Sequence, residues 1–206
     1  MKKRILWCIL CACLVSTSLF AQEPALLSRV HDTEACRKWV DGQMEKMTLK
    51  QKVGQLFIYT LQPVTNQYSK NVLRKMVDDY GVGGLLFTGG ELRKQVQMTN
   101  YAQVHALVPL MVTFDGEWGL GMRLKDTPSF PYNRVLGCIQ NDSLLYEYGK
   151  EVARQCRLIG VQINFAPVAD VDNNPNNPVI NFRSFGSGPK RVAEKVAAYV
   201  KGLEDN

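Results

Sequence analysis

Asp115 and Arg123 stand eight residues apart in Thr113-Phe114-Asp115-Gly116-Glu117-Trp118-Gly119-Leu120-Gly121-Met122-Arg123, where an apolar run from Pro109 to Phe114 ends in an acid and a glycine-rich turn. A carboxylate can accept hydrogen bonds from two vicinal hydroxyls, and a guanidinium donates from a rigid fork to hydroxyl or acyl oxygens. That combination suits a sugar. The same two residues could instead form an ion pair that only holds the loop in place. Asp115 and Glu117 also offer two acids. Paired glycosidase carboxylates, however, flank the scissile bond about 5 to 9 Å apart, which neighbours on one loop seldom achieve. A second cluster follows the next apolar run. Asn164-Phe165-Ala166-Pro167-Val168-Ala169-Asp170 ends in an acid, Asp172 lies just beyond, and a turn-rich stretch, Asn173 to Pro178, leads to Asn181-Phe182-Arg183-Ser184-Phe185-Gly186. Arg183 reads as a second cationic clamp on a ligand, oriented by Phe182 and Phe185, or as an organiser of Asp170 or Asp172.

Other chemistries find less support. Gly81-Val82-Gly83-Gly84 and Gly89-Gly90 are followed by no Lys-Ser/Thr and miss the dinucleotide spacing, so they read as strand boundaries. His31 lies in a polar lead-in and His105 near a helix end, on the N-terminal side of a strand. Neither is placed for acid–base work or metal binding, and no nucleophile triad emerges. We expect no metal and no organic cofactor. Three of the six cysteines fall in the first 21 residues. Cys36, Cys138 and Cys156 remain, an odd and widely spaced set that is neither a disulfide framework nor a zinc pattern. Cys156, on a helix face, reads as a buried thiol. One disulfide among the three stays open.

Alternating helical and extended segments must position these groups. Thr48-Leu49-Lys50-Gln51 has the spacing of a capping box and opens a short helix leading into a first strand at Leu56 to Tyr59. Val72, Leu73, Met76 and Tyr80 share a helical face that Gly81 terminates. Gly83 to Phe87 is a buried strand, Glu91 to about Ala106 a helix, and Pro109 to Phe114 a third strand. Such unbroken apolar runs suit parallel strands covered on both faces. Asp142 can cap a long helix carrying Leu144, Leu145, Tyr148, Val152, Cys156 and Ile159, ended by Gly160. Val161 to Ala166 is a fourth strand, and Pro189 opens a last helix with Val192, Val196, Tyr199 and Leu203 inward. About 185 residues hold these four units, where a (β/α)8 barrel needs eight units and at least ~200 residues. We therefore expect an α/β fold: the N-terminal half of a (β/α)8 TIM-type barrel, about four strand–helix units, with a small doubly wound sheet as the rival.

The chain has 206 residues and a formal net charge of +6. Lys2, Lys3 and Arg4 precede an uncharged run from Ile5 to Phe20 and then Ala21-Gln22, the form of a secretory signal peptide cleaved after Ala21, with an uncleaved anchor as the rival; the run is short for a membrane span, and no membrane contact is expected beyond it. A lipoprotein box at Leu10-Cys11-Ala12-Cys13 fits less well, because the apolar segment before Cys13 is short. Cleavage leaves +3, so a basic-patch argument for nucleic acid loses its footing. The expected organisation is a signal peptide at 1–21, a lead-in at 22–46 with one short helix around Trp39 and Val40, and one partial domain at 47–206.

Several spaced motifs carry a family likeness. Met47-Thr48-Leu49-Lys50-Gln51-Lys52-Val53-Gly54-Gln55-Leu56 resembles the opening of glycoside hydrolase family 3, as does Gly81 to Leu85. The family's acid–x–Glu–Gly–Gly…Arg signature aligns with Asp115 to Arg123. Asn164 to Asp172 resembles its strand-four motif, and Arg183 to Gly186 its Arg-Ser-Phe element. The wording from Val179 to Phe185 is similar to the β-N-acetylhexosaminidase branch. Trp118 departs from the pattern, standing where the family usually has Gly; it could reshape the loop or form a sugar-stacking platform. The resemblance implies that Asp115, Arg123 and Arg183 bind substrate. It also implies a retaining hydrolase of terminal β-linked amino sugars, whose Asp nucleophile and His acid/base would lie beyond residue 206. No catalytic residue carries over. The expectation is an exported glycosidase half, inactive alone, whose partners are a carbohydrate substrate and a missing C-terminal half or partner chain. The alternatives are a non-catalytic sugar-binding half barrel, a subunit completed by a partner, and a complete small α/β protein of unrelated function.

Overall fold

The computed structural model describes residues 33–205. The signal-peptide reading of residues 1–21, the stretch 22–32 and His31 lie outside the described residues. In chain order the elements are helices α1 (Glu34–Lys46) and α2 (Leu49–Gly54), strand β1 (Ile58–Leu61), α3 (Gln67–Asp78), β2 (Gly84–Phe87), α4 (Leu92–His105), β3 (Met111–Phe114), α5 (Asn133–Leu136), α6 (Ser143–Leu158), β4 (Ile163–Asn164) and α7 (Pro189–Glu204). Short 3-10 turns at Leu120–Met122 and Asn181–Arg183 follow β3 and β4 respectively.

All four strands are parallel and lie side by side in sequence order, β1-β2-β3-β4. That order separates the two expected architectures. A doubly wound sheet reverses its order at a switch point, whereas a barrel adds each strand beside the last. The chain therefore forms four consecutive strand–helix units of a (β/α)8-type wall. Among the described residues β1 and β4 each pair on one side only. Leu56, Phe57 and Ile58 near one end of the sheet and Phe165 near the other are exposed.

The helices cover the sheet through the stripes that their sequences provide. Leu73 and Val77 of α3, Met98 and Ala102 of α4, and Leu145, Val152 and Cys156 of α6 pack on Leu85, Phe87, Val112 and Phe114. Each such side chain contributes about 1.5–3 kcal/mol when fully buried. The α3 stripe is centred on Leu73 and Val77, with Tyr80 exposed beyond it under the Lys50 ammonium. Leu144 likewise faces out of α6. Helices α6 and α7 cross almost backbone to backbone: a Cβ at Gly149 would lie 2.2 Å from the Tyr199 carbonyl, and one at Gly202 2.1 Å from that of Tyr146. Tyr148 and Tyr199 stack beside this crossing with centroids 4.8 Å apart.

Local signals hold in part. The capping box is formed: Gln51 N donates to Thr48 Oγ1 at 3.2 Å and Thr48 N to Gln51 Oε1 at 3.0 Å. Strand boundaries moved for identifiable reasons. β1 starts at Ile58 because Leu56 and Phe57 still donate to Val53 and Gly54 in the turn that ends α2. β3 starts at Met111 because Pro109 has no N–H and the Gln103 side chain takes both backbone groups of Leu110. β4 shrinks to two residues, its flanks tied to β3 through Gln162 N to Val112 O, Val112 N to Gln162 Oε1 and Phe165 N to Phe114 O. Asp142 does occupy the position before α6, but its carboxylate makes no cap. It is held by the ammonium of Lys195 on α7, a side chain that is 2% exposed.

Candidate functional site

Asp115 is the first residue past β3, and Arg123 closes the 3-10 turn that follows. The guanidinium folds back onto its own loop: Nη2 pairs with the Asp115 carboxylate and Nε donates to the Asp115 carbonyl at 3.2 Å. The loop-holding reading of this pair is thus real. Both side chains nevertheless stay about a third exposed, so the pair presents donors and acceptors outward.

The loop is anchored on both sides. Toward β4, Gly116 N donates to Asn164 Oδ1 at 2.9 Å and Asn164 Nδ2 donates to Gly116 O at 3.2 Å. Toward β2, Gly90 N donates to Arg123 O and Lys125 N to Gly90 O, each at 3.1 Å. Gly89-Gly90 thus does bound a strand, and it is also the seat of the Asp115 loop. Inside the loop Gly119 has φ +80°, and a Cβ there would stand 2.7 Å from Phe130 Cδ2, so position 119 tolerates only glycine. Tyr148 Oη donates to Glu117 O at 3.1 Å from α6 below.

Arg183, the last residue of the second 3-10 turn, reaches across to Glu117. Nη2 donates to Oε1 at 2.6 Å, and Nε donates to Oε1 and Oε2 at 2.9 and 3.1 Å. The Glu117 side chain is 1% exposed and the Arg183 side chain 32%. These hydrogen bonds hold the Arg183 proton more firmly than usual; partial burial opposes them, and the charges of Glu117, Asp115 and Asp170 add to them. Asp115, Glu117, Asp170 and Arg183 therefore form one electrostatic neighbourhood at the C-terminal ends of β3 and β4, the end where such barrels carry their sites.

The Glu117 carboxylate is buried and taken up by Arg183, in keeping with the argument against an Asp115–Glu117 acid pair on one loop. Arg183 in turn does not organise Asp172, whose carboxylate pairs with Arg134 of α5, while Arg134 Nη2 also donates to Asn181 O at 3.1 Å. Phe185 is buried, but Phe182 is exposed and belongs to an aromatic group with Trp118 and Tyr132. Arg134 and Tyr132 were missed because they lie in a connection without apolar periodicity. The backbone of Arg183 is held from the same segment, Asn133 Nδ2 donating to its carbonyl at 2.8 Å. His105 ends α4, at the N-terminal side of β3 and so away from this site, its ring 4.7 Å from that of Tyr101.

Comparison with known proteins bears on the family and the fold. Residues 48–206 match the family model described as the glycosyl hydrolase family 3 N terminal domain. The chain is 31% identical over 145 residues to beta-hexosaminidase A of Pseudoalteromonas piscicida, covering 64% of this chain and 24% of that protein. It is 34% identical over 135 residues to beta-hexosaminidase LpqI of Mycobacterium tuberculosis, covering 63% of this chain and 34% of that one. Among solved structures, a glycoside hydrolase family 3 beta-N-acetylglucosaminidase from Paenibacillus superposes with a TM-score of 0.69 at 32% identity, over 77% of this chain and 31% of that one. The chain thus spans 24% to 34% of the length of these relatives.

Proposed function

Since this chain belongs to glycosyl hydrolase family 3, we infer that it supplies the substrate-holding arc of an exported β-N-acetylhexosaminidase, acting on a terminal β-linked amino sugar. The observation that carries this reading is the convergence of Asp115, Arg123 and Arg183 at one end of the sheet, with Glu117 buried behind Arg183. The names of the relatives support the choice of branch.

In this reading the chain binds and orients. Asp115 gives one oxygen to Arg123 and keeps lone pairs for vicinal hydroxyls. Arg123 and Arg183 keep N–H donors beyond those already engaged, directed by carboxylates that cannot swing away. Positioning of this kind lowers a barrier by removing motion from the reacting pair before chemistry begins. The reaction itself is retaining: a carboxylate attacks the anomeric carbon, and water then releases the sugar from the glycosyl-enzyme. Neither the nucleophile nor the acid/base is assigned to a residue of this chain.

Titration of the full chain with N-acetylglucosamine tests the reading. Saturable binding is expected, and Arg183→Lys, which keeps a charge beside Glu117 but loses the planar fork, weakens it at least about tenfold. Absence of saturable binding would overturn the sugar reading. The chain by itself is expected to show no turnover of an aryl β-N-acetylglucosaminide. Turnover abolished by Asp115→Ala would overturn the division into a holding part and a cutting part.

A further inference from the structure

The Arg183–Glu117 pair has an apolar flank that its chemistry does not explain. Trp118 follows Glu117 in the chain and Phe182 precedes Arg183, so the salt link also brings two aromatic rings together across the loops. Their centroids are 6.4 Å apart, and Tyr132, just before α5, fills the gap. Tyr132 lies 4.8 Å from Trp118 edge-on and 4.5 Å from Phe182 at 43°. Such distances are those of mutually supporting aromatic pairs. These rings are not sealed into the core. Phe182 is 42% exposed, Tyr132 is 47% exposed and Trp118 is half-buried.

We propose that Phe182, braced by Trp118 and Tyr132, presents a stacking face that receives the flat C–H face of an equatorially substituted pyranose whose hydroxyl edge lies on Arg183. The argument is one of matched chemistry. A pyranose in the gluco configuration carries its hydroxyls around the rim and axial hydrogens on its faces, so it needs a polar grip beside an apolar plane. The Arg183–Glu117 link supplies the first; the exposed ring of Phe182, next to Arg183 in the chain and supported by Trp118 and by Tyr132 from the segment before α5, supplies the second. Aromatic rings present an apolar body at little cost in side-chain entropy, which suits a preformed site. A sugar with an axial hydroxyl would put oxygen against the rings without a partner, so the face also discriminates.

The inference rests on the sugar reading above, and its test separates the two. The full chain is titrated with N,N′-diacetylchitobiose by saturation-transfer NMR, alongside thermal unfolding. Phe182→Leu and Trp118→Gly each weaken binding about tenfold, or about 1.4 kcal/mol. Phe182→Tyr restores it, and saturation passes from aromatic protons to the axial ring hydrogens. A midpoint of unfolding that barely moves in Phe182→Leu separates recognition from mere packing of the loops. Binding unchanged by Phe182→Leu and Trp118→Gly, yet lost in Arg183→Lys, overturns the stacking face and leaves the polar grip standing. No binding by the unaltered chain overturns both.

Discussion

Removing Arg183 is expected to harm the fold more than removing the residue it holds. The Glu117 side chain is 1% exposed, and three hydrogen bonds from Arg183 neutralise it. Arg183→Ala leaves that carboxylate in a place water does not reach, with Asp115 and Asp170 close enough to act on the same spot. Stranding one partner of a buried pair costs about 3–5 kcal/mol, and the lower end applies because the pair opens to solvent on the arginine side. Glu117→Gln is the milder perturbation. The guanidinium is a third exposed and can turn to water, and the amide oxygen still accepts a hydrogen bond, so the loss is about 1–2 kcal/mol. Urea denaturation reads both as a lowered midpoint with little change in slope. The double substitution Arg183→Met with Glu117→Leu is less costly than Arg183→Ala alone, because no buried charge remains. Equal losses for the two single substitutions, or a double substitution as costly as Arg183→Ala, would refute this account of the site.

Asn164→Ala removes both side-chain bonds to Gly116 and costs about 1–3 kcal/mol; amide exchange at Gly116 accelerates well beyond that of the β2 amides. Gly119→Ala forces a left-handed backbone on a residue with a Cβ and drives that Cβ into Phe130, costing about 1–3 kcal/mol or more by thermal unfolding. Burial pushes the Cys156 thiol up from 9.0 to about 11, with Arg157 pulling weakly the other way. The folded protein therefore keeps a proton that the unfolded chain releases. Stability is full below pH 9 and falls between pH 9 and 11, by at most about 2.7 kcal/mol. Cys156→Ala removes this contribution, so the profile flattens between pH 9 and 10, while the slope from buried Tyr148 and Tyr199, whose ordinary value is 10.0, remains from pH 10 upward.

What was legible in the sequence follows the range of the forces involved. The capping box at Thr48 and Gln51, the glycine stops at Gly81 and Gly160 and the inward faces of α6 and α7 are set by neighbours within a turn or two. They emerged as expected, except that Leu144 faces out of α6. Strand ends did not, because a strand stops where its partner's hydrogen bonds stop, as at Leu110, whose backbone is claimed by Gln103. At the site, Asp115 and Arg123 were readable because an eight-residue loop limits their choices. The partner of Arg183 lies 66 residues away at Glu117, and no local pattern distinguishes it from Asp170 or Asp172. A glutamate inside an otherwise apolar and glycine-rich turn was the available clue, since burial there demands a cation.

The loop after β3 is registered through main-chain atoms: Gly116 on Asn164, Gly90 against Arg123 and Lys125, and Trp118 O as acceptor for Phe130 N. Trp118 contributes its carbonyl to that registration and leaves its ring to whatever lies above. Course and display are therefore decoupled at this position. Exchange of the residue at 118 changes the surface offered to a ligand while the path of the loop, and with it the aim of Arg123 and Arg183, stays where neighbouring strands put it. A scaffold built this way can move between substrates by single substitutions without first surrendering the polar grip.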